Sequence, residues 1–100
     1  MLKHIVFIKL KSGYSLKDRT NILNKLKQML DNLQSEIVDI NKMETGLNFS
    51  TRDSAFDLSL SVELDNEEAL NRYRIDTEHK KVLDYMKGLD LETAVVDYTI

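Results

Sequence analysis

The pattern of apolar residues along the chain predicts four strands and two helical regions. Residues 2–10 are rich in β-branched and aromatic side chains and run into a turn at Gly13, which is typical of a strand. Under strict alternation His4 shares one side of this strand with Val6 and Ile8, and the other side is also apolar. Apolar groups on both sides indicate a central strand.

The most regular element is a helix in the first half of the chain. Ser15 followed by Asp18 resembles a capping box. Apolar residues then recur at intervals of three and four, as on one face of an amphipathic helix. They are Leu16, Ile22, Leu23, Leu26, Met29, Leu30 and Leu33.

A second helical region is predicted in two parts. Asp65 with Glu68 three residues later is a helix-start signature, and a short helix follows as far as Tyr73. A break is expected near residues 74–77. The helix then resumes through His79 with apolar residues on one face, and Gly88 serves as its C-terminal cap.

The remaining strands differ in how clearly they are marked. Residues 36–49 alternate weakly, so we expect a strand with a bulge or with contacts on both sides. Residues 56–64 alternate cleanly between apolar and polar, and residues 91–100 form a closing strand with apolar groups on both faces.

The order of elements is β-α-β-β-α-β, which predicts an α+β, ferredoxin-like fold with a four-stranded antiparallel sheet and both helices on one face. The first and last strands carry apolar groups that these helices do not cover. We therefore expect a homodimer in which two sheet faces pack together. Polar residues on the third strand predict that this interface is partly wet. They are Asp57, Ser59, Ser61 and Glu63.

Composition narrows the classes of function. One hundred residues suit a single domain, residues 1–100. A net charge of −3 argues against a nucleic-acid partner, and the absence of cysteine excludes thiol chemistry. The longest apolar run is Ile5 to Ile8, with no signal-peptide pattern, so we expect a cytoplasmic protein without a membrane partner.

Motifs for metals and nucleotides are missing. Two distant histidines and scattered carboxylates lack the spacing of zinc or EF-hand sites, so no metal is expected. The three glycines stand alone and form neither a phosphate loop nor a nucleophile elbow. We expect no cofactor.

The whole chain resembles the stress-responsive dimeric α/β-barrel (Dabb) family. The resemblance lies in the first strand at residues 2–10, Gly46-Leu47-Asn48, residues 57–69, residues 73–79 and the terminal Val95-Val96-Asp97-Tyr98. It implies the same fold and a barrel made of two paired sheets. It also implies a likeness to plant polyketide cyclases such as olivetolic acid cyclase, which perform an intramolecular aldol condensation without a cofactor.

Carried over from these cyclases, the resemblance implies that His79 is a base and that Tyr73 assists it. His4 would lie in the same pocket. Each residue also has a structural interpretation: His79 and His4 as hydrogen-bonded core histidines, and Tyr73 as aromatic packing. Asp76, one turn before His79, either orients its ring or caps the helix.

Three functions remain open at this point. The first is a dimer with a pocket for a small apolar ligand, in which His79 and Tyr73 carry out acid–base chemistry on a carbonyl compound. The second is a non-catalytic stress or assembly protein in which both residues are structural. The third is a monooxygenase-like member of the wider superfamily. The first requires a cavity of several hundred cubic ångströms that touches both residues.

Overall fold

A computed structural model describes residues 1–100 and has four strands and three helices. No helix is long and apolar enough to span a membrane. The predicted order is confirmed, with the second helical region divided in two as expected. The elements are β1 (Leu2–Leu10), α1 (Leu16–Glu36), β2 (Lys42–Leu47), β3 (Leu58–Leu64), α2 (Glu67–Ile75), α3 (Thr77–Lys87) and β4 (Leu91–Thr99).

The sheet is antiparallel and has the strand order β2-β3-β1-β4, so β1 is a central strand as predicted. His4 of β1 lies opposite Val62 of β3 on one side and Asp97 of β4 on the other. Because side chains alternate between the two faces, this register places His4 and Asp97 on the same face.

The core lies between the helices and one face of the sheet. β3 contributes its alternate residues, and α1 contributes a stripe that includes Leu26, which is fully buried. Tyr73 of α2 is also fully buried. Burial of one such side chain contributes roughly 1.5–3 kcal/mol, so this layer supplies most of the driving force for folding.

The helix starts were predicted with one error. Ser15 caps α1, and its hydroxyl accepts a hydrogen bond from the Asp18 amide at 3.1 Å. The start of α2 was wrong by one residue: its cap is Asn66, whose side-chain oxygen accepts from the Ala69 amide, and not Asp65. Both residue types cap helices well, and Asp65 instead accepts a hydrogen bond from the Asn41 side chain.

The second strand is shorter than the sequence predicts and has no bulge. Residues 36–49 include the last residue of α1 and a turn before β2 begins at Lys42. Ile37 and Ile40 lie in that turn and are buried in the core, so their apolar character belongs to the turn. β2 then pairs with β3 in continuous register, and β3 begins at Leu58, two residues after the predicted start.

The other face of the sheet is not covered by helices. The residues of β1 and β4 that alternate onto it form an apolar patch, in which Phe7 is 42% and Val96 55% exposed. β2 and β3 contribute mostly polar groups to this face. The patch consists of Ile5, Phe7, Ala94, Val96 and Tyr98.

Candidate functional site

The break between α2 and α3 falls at Asp76, whose extended backbone (φ −61°, ψ 138°) ends one helix and begins the next. Its Oδ1 accepts a hydrogen bond from the Glu78 amide at 2.8 Å, so Asp76 is the N-cap of α3. Of the two roles considered for Asp76, the structure places it in the capping role. It does not line the cavity near His79 and does not bond the imidazole.

His79 lies in the first turn of α3 and is half-buried. Its Nδ1 is 3.2 Å from the carbonyl oxygen of Arg74, which only accepts hydrogen bonds. Nδ1 therefore carries the proton, and in the neutral ring Nε2 is an unprotonated, basic nitrogen. Burial lowers the pKa of His79, and the hydrogen bond to the Arg74 carbonyl opposes this only in part, so the basic form prevails at neutral pH.

The Tyr73 ring packs against both histidines. Its ring centroid is 4.3 Å from that of His79 and 5.8 Å from that of His4. Its hydroxyl is buried and has no hydrogen-bond partner, which is rare in a folded protein. Burial raises the pKa of Tyr73, so the hydroxyl stays protonated and can donate a hydrogen bond.

His4 faces the helices and is 8% exposed. Its Nδ1 bonds Oδ1 of Asp97, the residue opposite it in β4. The second oxygen of Asp97 accepts from the Arg74 guanidinium at 3.2 Å. The structure thus adds Asp97 and Arg74 to the predicted residues. Asp97 had a detectable signal, since it is the one charged residue on its side of β4, which it shares with Leu91, Thr93, Val95 and Thr99.

A cavity of about 240 Å³ joins these groups between the helices and the sheet. His4, Tyr73 and His79 all line it, and Arg74 lies at its wall. Its volume is just below the range of about 300–1,000 Å³ for drug-sized ligands, so the cavity suits a smaller molecule. The rest of the wall is mainly apolar: Val6, Ile8, Leu30, Leu60, Val82, Leu83, Met86, Thr93 and Val95.

A larger cavity of about 420 Å³ lies elsewhere, next to the open face of the sheet. Phe7 and Phe56 contribute to its wall, and its polar side chains are only serines and an asparagine. It contains no group that could act as an acid or base near neutral pH. The smaller cavity is therefore the candidate site for chemistry. No cluster of three or more metal-ligating side chains is present.

Comparison with known proteins identifies a family and a shared fold. The family model for the stress responsive A/B barrel domain matches residues 2–100. A search of curated proteins found no match. A dimeric Bacteroides fragilis protein of unknown function and ferredoxin-like fold is 27% identical, with TM-score 0.90 and coverage of 99% of this chain and 95% of that one.

Two other solved structures share the fold at lower identity. Hydroxynitrile lyase from Passiflora edulis is 16% identical, with TM-score 0.79 and coverage of 99% and 92% of the two chains. A putative antibiotic biosynthesis monooxygenase from Deinococcus radiodurans is 12% identical, with TM-score 0.71 and coverage of 100% and 92%. Similar backbones therefore occur in proteins named for different chemistries, so function must be argued from the site.

Proposed function

The chain belongs to the stress responsive A/B barrel domain family, and on that premise we propose that it is a homodimer whose cavity binds a small apolar carbonyl compound and performs cofactor-free acid–base chemistry on it. One observation carries the proposal. His79, whose Nδ1 is already hydrogen-bonded, and Tyr73, whose buried hydroxyl has no partner, line the same apolar cavity. A carbonyl ligand would supply the partner that the hydroxyl lacks.

In the proposed reaction, Nε2 of His79 removes a proton from the carbon next to the carbonyl. The electron pair of the broken C–H bond forms a C=C bond as the π pair of the carbonyl moves to its oxygen, and the Tyr73 hydroxyl stabilises the resulting enolate by donating a hydrogen bond. The enolate carbon then takes back a proton from His79 or attacks a second carbonyl of the same molecule. In the second case a C–C bond forms and the new alkoxide receives the proton.

The surroundings of the two groups favour this division of roles. Burial lowers the pKa of His79, which keeps the base unprotonated, and raises the pKa of Tyr73, which keeps the donor protonated. Environments that move two pKa values apart in this way are typical of acid–base pairs. Positioned general acids and bases typically contribute about 10²- to 10⁴-fold to a rate.

The dimer is supported by the apolar patch on the open sheet face and by the dimeric Bacteroides fragilis protein. A contact of this patch with its own copy would be a closed two-fold interface. The cavity with His79 lies on the opposite side of the sheet, so we expect each protomer to keep its own site.

A non-catalytic role is the alternative, and one observation favours it. The hydrogen bond from His79 to the Arg74 carbonyl ties α3 to the end of α2 without any ligand, as a structural histidine would. The two functions differ in what they require of the cavity, because a purely structural pair needs no ligand in contact with both residues.

Ligand screening by thermal shift separates the two functions. This assay reports binding because a ligand raises the melting temperature only if it binds the folded state. The probes are small apolar ketones, compared with the corresponding alcohols. We expect ketones to stabilise the wild type and to have a smaller effect on His79→Gln and Tyr73→Phe. Phe56→Leu, in the larger cavity, is the matched control and should respond as the wild type does. Equal responses in all four proteins would contradict the proposal.

A further inference from the structure

Arg74 is connected to both histidines. Its main-chain carbonyl bonds His79, and its guanidinium bonds Asp97, the partner of His4. Arg74 lies in the last turn of α2, two residues before the break at Asp76. Its main-chain carbonyl accepts the Nδ1 hydrogen of His79 at 3.2 Å. Its guanidinium donates to Asp97 at 3.2 Å, and Asp97 holds Nδ1 of His4 through its other oxygen.

The chemistry of these contacts gives the two histidines the same tautomer. Asp97 presents one carboxylate oxygen to Arg74 and the other to His4, and a carboxylate oxygen accepts hydrogen bonds. The proton of His4 therefore lies on Nδ1, as it does in His79, and Nε2 is the basic nitrogen of each neutral ring. Both rings pack against the Tyr73 ring, and all three residues line the cavity.

We propose that Arg74 is a positioning residue that holds both imidazoles in the tautomer with the proton on Nδ1, so that the neutral rings present two basic Nε2 atoms next to the Tyr73 ring. The catalytic part of this inference rests on the proposed function, whereas the tautomers are properties of the protein without ligand. The guanidinium acts on His4 by holding Asp97, and the carbonyl acts on His79 directly. Arg74 thereby links α2, α3 and β4 at the site.

Arg72 offers a matched control on the same helix. It also forms an ion pair with an aspartate, its Nη2 lying 2.8 Å from Oδ1 of Asp39, and its side chain is similarly exposed (59% against 51% for Arg74). It does not line the cavity and bonds neither histidine nor Asp97. Replacing Arg72 removes the same charge from α2 without removing any hydrogen bond to His4, His79 or Asp97.

The test uses ¹⁵N-histidine NMR on ligand-free wild type, Arg74→Met, Arg74→Lys, Asp97→Asn and Arg72→Met at pH 8. In the wild type we expect both rings to carry the proton on Nδ1. Exchange of the His4 Nδ1 proton with water should be about two- to fivefold faster in Arg74→Met, the range for a partly exposed ion pair. Arg74→Lys should recover most of the loss. In Asp97→Asn, His4 should no longer occupy a single tautomer.

His79 should keep its tautomer in every variant, because the Arg74 carbonyl remains. Two results would overturn the inference: a His4 signal in Arg74→Met identical to the wild type, or equal acceleration of His4 proton exchange in Arg72→Met.

A second measurement, turnover of carbonyl probes, separates this inference from the proposed function. If wild-type protein fails to turn over any carbonyl probe while Arg74→Met still alters His4, the proposed function fails and the link to His4 stands. If turnover is present and His4 is unaltered, the link fails and the proposed function stands.

Discussion

Removing the hydroxyl of Tyr73 should stabilise the folded protein while weakening its site. The ring is fully buried and its hydroxyl has no hydrogen-bond partner. Burying such a group costs about 1–3 kcal/mol in protein mutational data, and Tyr73→Phe removes that cost while keeping the ring packing. We therefore expect the free energy of unfolding to rise by about 1 kcal/mol or more. For a domain of this size, 1 kcal/mol corresponds to about 4–8 °C in melting temperature.

The assay is denaturant unfolding at one fixed protomer concentration, because the apparent stability of a dimer depends on concentration. Tyr85→Phe is the control, since Tyr85 is only partly buried and its hydroxyl is not among the buried groups that lack a partner. It should change stability by less than about 0.5 kcal/mol. Destabilisation of Tyr73→Phe, or an equal shift in both variants, would refute the reasoning. Gained stability with lost ligand binding is the pattern expected when a residue is kept for function.

Three further predictions follow from other contacts. Because burial lowers the folded-state pKa of His79 below its unfolded value of 6.5, the unfolded chain binds more protons between the two values. Stability measured by urea unfolding should thus fall as pH drops below about 6.5, and His79→Gln should flatten this dependence; an unchanged pH profile would contradict it. Asp57 accepts hydrogen bonds from the buried Leu10 amide at 2.8 Å and from an arginine of α1, so Asp57→Ala should cost about 1–3 kcal/mol, whereas Asp53→Ala in the neighbouring loop should be near neutral. Phe7→Asp on the open sheet face should yield monomers in light scattering, and a dimer as stable as wild type would exclude that face as the interface.

The fold was predictable wherever one physical signal dominated. α1 and β3 each bury a single face, so their periodicity identifies them. The bounds of β2 were not predictable in this way. Ile37 and Ile40 are apolar residues buried in the turn before β2, and they extend the apparent strand. The start of α2 was predicted one residue too early because Asp65 and Asn66 are both good caps, and only the backbone geometry distinguishes them.

Three of the four residues predicted for the site line one cavity, but their connections were not predicted. His4, Tyr73 and His79 came from the family resemblance, whereas Asp76 caps α3 and does not line the cavity. Asp97 and Arg74 could not be assigned in advance, because their contacts depend on the register of β1 against β4 and on the angle between α2 and the sheet. Neither quantity can be read from local spacing, although Asp97, the charged residue on the helix-facing side of β4, indicates where the contact forms.

In the proposed reaction His79 removes a proton next to a carbonyl group, and the Tyr73 hydroxyl stabilises the enolate that forms. Its most direct test is hydrogen–deuterium exchange of cyclohexanone in deuterated buffer at neutral pH, followed by proton NMR. Wild-type protein should accelerate exchange of the protons next to the carbonyl, and His79→Gln and Tyr73→Phe should each reduce the acceleration by about 10²-fold or more, as expected for loss of a general acid or base. Wild-type exchange at the rate of buffer alone, or equal rates in wild type and His79→Gln, would contradict the claim.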